Sequence, residues 1–369
     1  MKKFLYNAVF VFLITDALIL TVINLYPYIE YFISLGITQI LLAGACLLVG
    51  AVIASFVSVL LHETGHVLVS LFKNFKVVSF RLFNRETIYH NGEKIKKRVK
   101  NNFSFGSCEL ISTEEKNIKE RLIAVTAGGI IMSLIVFMAY LLLNVLLKNI
   151  NPYIYVLIST GMIISFYVFL SVLIPAEIKG TQTDGAVIYG LTKNKDYAAV
   201  LLALLKIQTQ LYSGKAPSEI DRDLYFNVPL LSDDHVSMLS LYSLRQMYYL
   251  DSGDYKKAAE TNKRLLYFYD AMSMEEFNGL QLSIVFDLIL SEEYEKAKAA
   301  FKLLKEDITD NITSYRIRAY YNWYIEKDKE KAEEFAEKAL KENKGILKGI
   351  AKMEIKLVQN LKKELKNSK

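Results

Sequence analysis

Cysteine is almost absent from the chain: there are two in 369 residues, Cys46 and Cys108. One falls in an apolar run and the other in a polar stretch, so no disulfide framework is implied. Long apolar runs are absent beyond about Ile174, although the whole chain is 52% hydrophobic with a mean hydropathy of +0.22. That asymmetry predicts two domains of different solvent class, a membrane domain over 1–192 and a water-soluble one over 193–369. Basic residues are nearly missing from two of the three connections between the apolar runs, where Lys148 is the only one. The net charge of +6 therefore does not imply a nucleic-acid partner, because its cations cluster where membrane topology accounts for them.

Four segments, at 4–29, 36–71, 122–147 and 150–176, meet the length of roughly 20 apolar residues that a bilayer crossing needs. The first follows Met1-Lys2-Lys3, but its apolar run exceeds a signal-peptide core and shows no small-residue cleavage site, so it reads as a retained anchor. Asp16 within it reads as a polar contact facing the bundle. Between Lys73 and Arg121 lie twelve Lys and Arg residues, those two included, whereas the loops on the other side carry only Lys148. The expected arrangement is a multi-pass cell-membrane protein with both termini and the basic loop in the cytoplasm.

The second segment ends in His62-Glu63-Thr64-Gly65-His66. Histidines at i and i+4 share one helix face and can share a zinc ion, with the intervening glutamate placed to take a proton from water at the metal. In a soluble chain this pattern is weakly specific. Ionisable groups inside a membrane span are costly, so three of them at this spacing form a functional hypothesis. By helix rise, His62 lies on the order of 10–15 Å below the cytoplasmic surface.

A catalytic zinc takes three protein ligands and leaves one position open. Beyond the last apolar segment, Asp184-Gly185 offers a carboxylate followed by a residue able to turn the backbone, and Glu177 competes for the same role. Here the first half of the chain resembles the site-2 proteases, the intramembrane zinc metalloproteases. The matching motifs are His62–His66, Ala127-Gly128-Gly129 and Asp184-Gly185. The resemblance implies zinc held by His62, His66 and Asp184, with Glu63 as general base. The chain departs from the family in having Gly129 where proline is usual, Met132 near the place of an asparagine, and Val172 at another asparagine position. Gly128 and Gly129 also suit close helix packing.

The basic loop, 73–120, holds strand-like stretches at 77–83 and 103–110. Between them, Asn91-Gly92 gives a strong hairpin signal. This predicts a small interfacial sheet. Its edge could hold an unwound peptide by strand addition, and its lysines could touch anionic headgroups. His90 reads as an exposed turn residue. In the soluble half, Ala258, Ala297 and Ala332 recur near the ~34-residue period of helical-hairpin repeats, and the pattern resembles degenerate tetratricopeptide repeats.

The expected fold is thus an all-α polytopic membrane protein with four transmembrane helices, a small β-hairpin insertion and a helical-repeat C-terminal domain. The expected activity is zinc-dependent hydrolysis of membrane-anchored or hydrophobic peptides. Its partners would be those peptides, the lipid bilayer and a protein bound to the repeats. Two alternatives stand beside it. One is a metalloprotease with Glu177 as third ligand; the other is a vestigial site on a membrane scaffold that works through its tail.

Overall fold

The structure is a computed structural model, and it describes residues 15–16, 19, 22–23, 26, 28–90, 93–98, 105–147, 149–178, 181–232, 235–269, 274–304, 310–342 and 346–367. The chain divides into two compact units. One comprises Met1–Asn84, Ser104–Glu109 and Lys119–Lys193; the other comprises Arg85–Phe103, Leu110–Ile118 and Asn194–Lys369. Most of the expected first span lies outside the described residues.

Three helices of the first unit are long and apolar enough to cross a membrane. Helix α1, Ile37–Phe72, has 36 residues and no proline. Its first 25 residues, 37–61, carry no charged side chain and no histidine, so no backbone bond is lost and no charged group is desolvated before the His62–His66 cluster. It faces outward through Leu41, Leu48 and Val52, each about two-thirds exposed, as lipid-facing positions should be. Below them Ser58, His62, Glu63 and His66 turn inward and are buried. Helix α2 spans Ile118–Leu146. Helix α3, Pro152–Leu173, starts on Asn151, whose side chain accepts from the Tyr153 amide, with proline in the first turn, where its missing N–H costs nothing. It stops just before Ile174-Pro175, because the residue before proline is pushed out of helical geometry.

Strands β1 (Phe75–Leu82), β2 (Arg85–His90), β3 (Glu93–Arg98) and β4 (Gly106–Ser112) form one sheet in the order β3-β2-β1-β4. Asn74 and Phe83 adopt positive φ at the two ends of β1. The expected hairpin is present. Its antiparallel register closes with His90 opposite Glu93, bracketing Asn91-Gly92, which lie outside the described residues. A second, two-stranded ribbon, β5 (Glu177–Ile178) with β6 (Thr181–Gln182), leads into helix α4, Asp184–Lys193.

The 194–369 part of the second unit is helical. Helix α5 (Lys195–Ser213) and a short α6 (Arg222–Phe226) precede α7 (Val236–Ser252), and Val200, Ile207, Tyr225, Met238 and Leu241 form their core. Three helix pairs contain the repeated alanines. Helix α7 runs into α8 (Tyr255–Leu266), α9 (Met274–Leu290) into α10 (Tyr294–Lys302), and α11 (Ile312–Tyr321) towards α12 (Lys329–Lys341). Ala258, Ala297 and Ala332 each lie in the first turn or so of a second helix, with no solvent exposure. A larger side chain would push the pairs apart there. Asp254 and Asp328 cap two of these helices by accepting from the Lys257 and Lys331 amides.

The closing helix α13 is Lys348–Asn367. It supplies Glu354 to a buried ion pair with Arg316, while Thr313 donates to the same carboxylate at 2.9 Å. Arg316 also lies 4.0 Å over the Phe286 ring. A buried pair of this kind adds little net stability, but losing one partner would strand the other, so it fixes how α11 and α13 meet. Nearby, burial pushes the Asp287 carboxyl up to about 7, opposed by a hydrogen bond from Asn262.

Candidate metal centre

Helix periodicity puts His62 and His66 on the inward face of α1, one turn apart, with Glu63 buried beside them. Asp184 arrives from beyond the end of α3, and the loop before it explains how. Thr183 Oγ1 donates to the Ile174 carbonyl at 2.8 Å and accepts from the Ala176 amide at 3.1 Å. It also accepts from the Ala186 amide at 3.2 Å, capping α4. One hydroxyl thus ties the start of α4 to the end of α3 and fixes the residue that follows it, Asp184. Gly185 is required by space rather than by a turn. Its φ is not positive, but a Cβ there would run into the Leu173 carbonyl oxygen.

The three side chains converge. His62 Nε2 lies 3.4 Å and His66 Nε2 3.3 Å from Asp184 Oδ2, and the two Nε2 atoms are 3.3 Å apart. This is the only group of three or more potential metal-binding side chains among the described residues. A tetrahedral ion with bonds of about 2.0–2.1 Å needs ligand atoms about 3.3–3.4 Å apart, which is the triangle observed.

The hydrogen bonds behind the rings point the same way. His66 Nδ1 lies 3.0 Å from the Val125 carbonyl, which can only accept, so the neutral ring carries its proton on Nδ1 and turns the Nε2 lone pair inward. His62 Nδ1 meets Ser133 Oγ at 2.9 Å, which permits the same tautomer. Asp184 Oδ2 is buried with no hydrogen-bond partner. With both rings neutral, three lone pairs meet in this buried space and repel one another unless a cation joins them.

Helix α2 supplies the surroundings of the rings. A Cβ on Gly129 would overlap the His66 imidazole and lie 2.8 Å from His62 Cε1. Gly128, next to it, faces Val69 and the Gly65 carbonyl on α1 instead. The glycine pair thus splits into one residue that lets the helices approach and one that makes room for the rings. Strand β4 covers Glu63: a Cβ on Gly106 would meet its carboxylate, and Cys108 lies close enough to feel its charge. Burial, aided by Glu63 and Glu109, pushes the Cys108 thiol up to about 12, so it is a thiol at neutral pH. Glu177 stays out of the group. It is exposed in β5, where it accepts from Gln182 Nε2 at 3.4 Å.

Ser133 and the Val125 carbonyl escaped the sequence reading. The only available signal was position: Ser133 follows Gly129 by one helical turn, on the same face of α2. Ser133→Ala should weaken metal affinity about 10- to 100-fold, the usual effect of removing a group that orients a ligand. Competition against a calibrated chelator would measure it, and unchanged affinity would mean that Ser133 does not orient His62.

No family model, no curated protein and no solved structure matches the chain.

Proposed function

We propose that the chain is an intramembrane zinc metalloprotease of the site-2 type, acting on membrane-anchored or hydrophobic peptides. The observation that carries this reading is the triangle of His62 Nε2, His66 Nε2 and Asp184 Oδ2, with a buried glutamate next to the first histidine. When bound, zinc supplies a Lewis acid that polarises a carbonyl and brings the pKa of water towards about 7.

The chain's own groups do the rest. Glu63 takes the proton from water and returns it to the leaving amine. Ser133 and the Val125 carbonyl hold the imidazoles in the tautomer that binds metal. Strand β4 is an outer strand of its sheet, and its Gly106 abuts Glu63, so a peptide added to that edge would present its backbone beside the base. A helical substrate must unwind there, since helical carbonyls are already hydrogen-bonded. The proposed arrangement has four spans, both termini cytoplasmic and a tetratricopeptide-like tail that recruits a protein partner or the substrate.

Metal analysis and hydrolysis of an anchored hydrophobic peptide test this together. The purified protein should retain about one zinc per chain, from its three-ligand set, and cleave the peptide. Asp184→Ala should lose most of the metal and the activity. Full metal retention in that variant would place the third ligand elsewhere and remove the basis of the reading.

A further inference from the structure

The register of the β2–β3 hairpin sorts its side chains into two unlike faces. Directly opposed residues share a face, and the faces alternate along each strand. One face carries Arg85 opposite Arg98, Thr87 opposite Lys96, and Tyr89 opposite Lys94. The other pairs Ile88 with Ile95 and Glu86 with Lys97, the latter as an ion pair of 3.2 Å. All four cations of the first face are exposed, and among the paired residues of β2 and β3 no carboxylate shares that face. Like charges directly opposite destabilise a strand pair, so Arg85 and Arg98 are a cost unless an anion lies against them. Lys94 covers the Tyr89 ring at 5.6 Å, leaving an amphipathic aromatic of the kind favoured at membrane interfaces on the same surface.

A short connection ties this face to the longest of the three membrane-length helices. The lipid-facing apolar side chains of α1 run from Ile37 to Phe56 and resume only at Leu68. Phe56, the last of the first run, stacks on Phe83, with ring centroids 5.8 Å apart and planes 2° from parallel. Arg85 follows Phe83 by two residues, a reach of at most about 7 Å.

We propose that the Arg85–Lys94–Lys96–Arg98 face of the hairpin is a docking surface for anionic phospholipid headgroups. Each cation gains from an anionic surface, and the gain disappears within a Debye length. An acidic peptide or a nucleic acid would also satisfy the charge. Neither explains a cationic face that starts within two residues of a ring stacked on a spanning helix. The proposal needs only the membrane helices and holds whether or not the metal centre cleaves peptides.

Hydrogen exchange on the full chain in nanodiscs tests it. The 85–98 segment should exchange more slowly in discs mixing phosphatidylcholine and phosphatidylglycerol than in phosphatidylcholine alone, and salt should erase the difference. Lys96→Gln should reduce the ratio between the two discs about fivefold, whereas Lys97→Gln, the same charge change on the other face, should leave it near wild type. Reading each variant as a ratio between discs cancels any loss of hairpin stability, and the wild-type lipid and salt comparison decides the matter even if a variant misfolds. Equal exchange in both discs would overturn the proposal, as would equal losses from the two variants. So would stronger protection in neutral discs from an added acidic peptide or RNA oligonucleotide.

Discussion

Glu63→Gln should keep its zinc and lose about 10²–10⁴-fold in turnover, the contribution usual for general acid–base catalysis. The substitution preserves shape and volume, so the buried position beside His62 and against Gly106 is still filled. Only the ability to accept a proton is removed. Glu63 is outside the His62–His66–Asp184 triangle, so metal content should not change. The comparison requires equal zinc loading, measured on the same preparations used to follow peptide hydrolysis in nanodiscs. Full turnover in the variant would refute the proteolytic reading. Loss of zinc would show that Glu63 coordinates the metal instead of serving it.

Gly129→Val should weaken metal binding about 5- to 150-fold while leaving all three ligands in the sequence. Its Cβ would occupy the space of the His66 ring, and α2 cannot retreat without giving up the approach of Gly128 to Val69. Overpacking of this kind costs about 1–3 kcal/mol, or about 5- to 150-fold in affinity if the strain falls on the liganding rotamers. Gly44→Val is the control: it lies on α1, where an added Cβ meets nothing within 4 Å. Zinc affinity should fall for the first variant and hold for the second. Equal affinity in both would mean that the rings do not need the space Gly129 leaves.

Much of this molecule was legible in the chain. The apolar runs, the helical spacing of His62 and His66 and the Asn91-Gly92 turn signal are local patterns, and local patterns follow from period and steric preference. The recurrence of Ala258, Ala297 and Ala332 is also local. It marks where second helices begin, and those alanines are fully buried.

What the chain could not reveal depends on residues far apart in sequence. Asp184 lies 118 residues beyond His66, and nothing in its neighbourhood separates it from Glu177 except a glycine. Tertiary structure separates them through Thr183, whose three hydrogen bonds set where α4 begins, while Glu177 is left exposed on a ribbon. Gly185 was expected to provide a turn and instead provides clearance from the Leu173 carbonyl, a distinction that depends on another helix being present. Ser133 is an ordinary serine in an apolar helix until His62 lies opposite it at 2.9 Å. Local periodicity thus determined the helices, the turn signal and two of the three converging side chains. Packing between helices decided which carboxylate joins them, which groups orient the rings and which glycine makes room, because each of those is a distance between elements that no single segment contains.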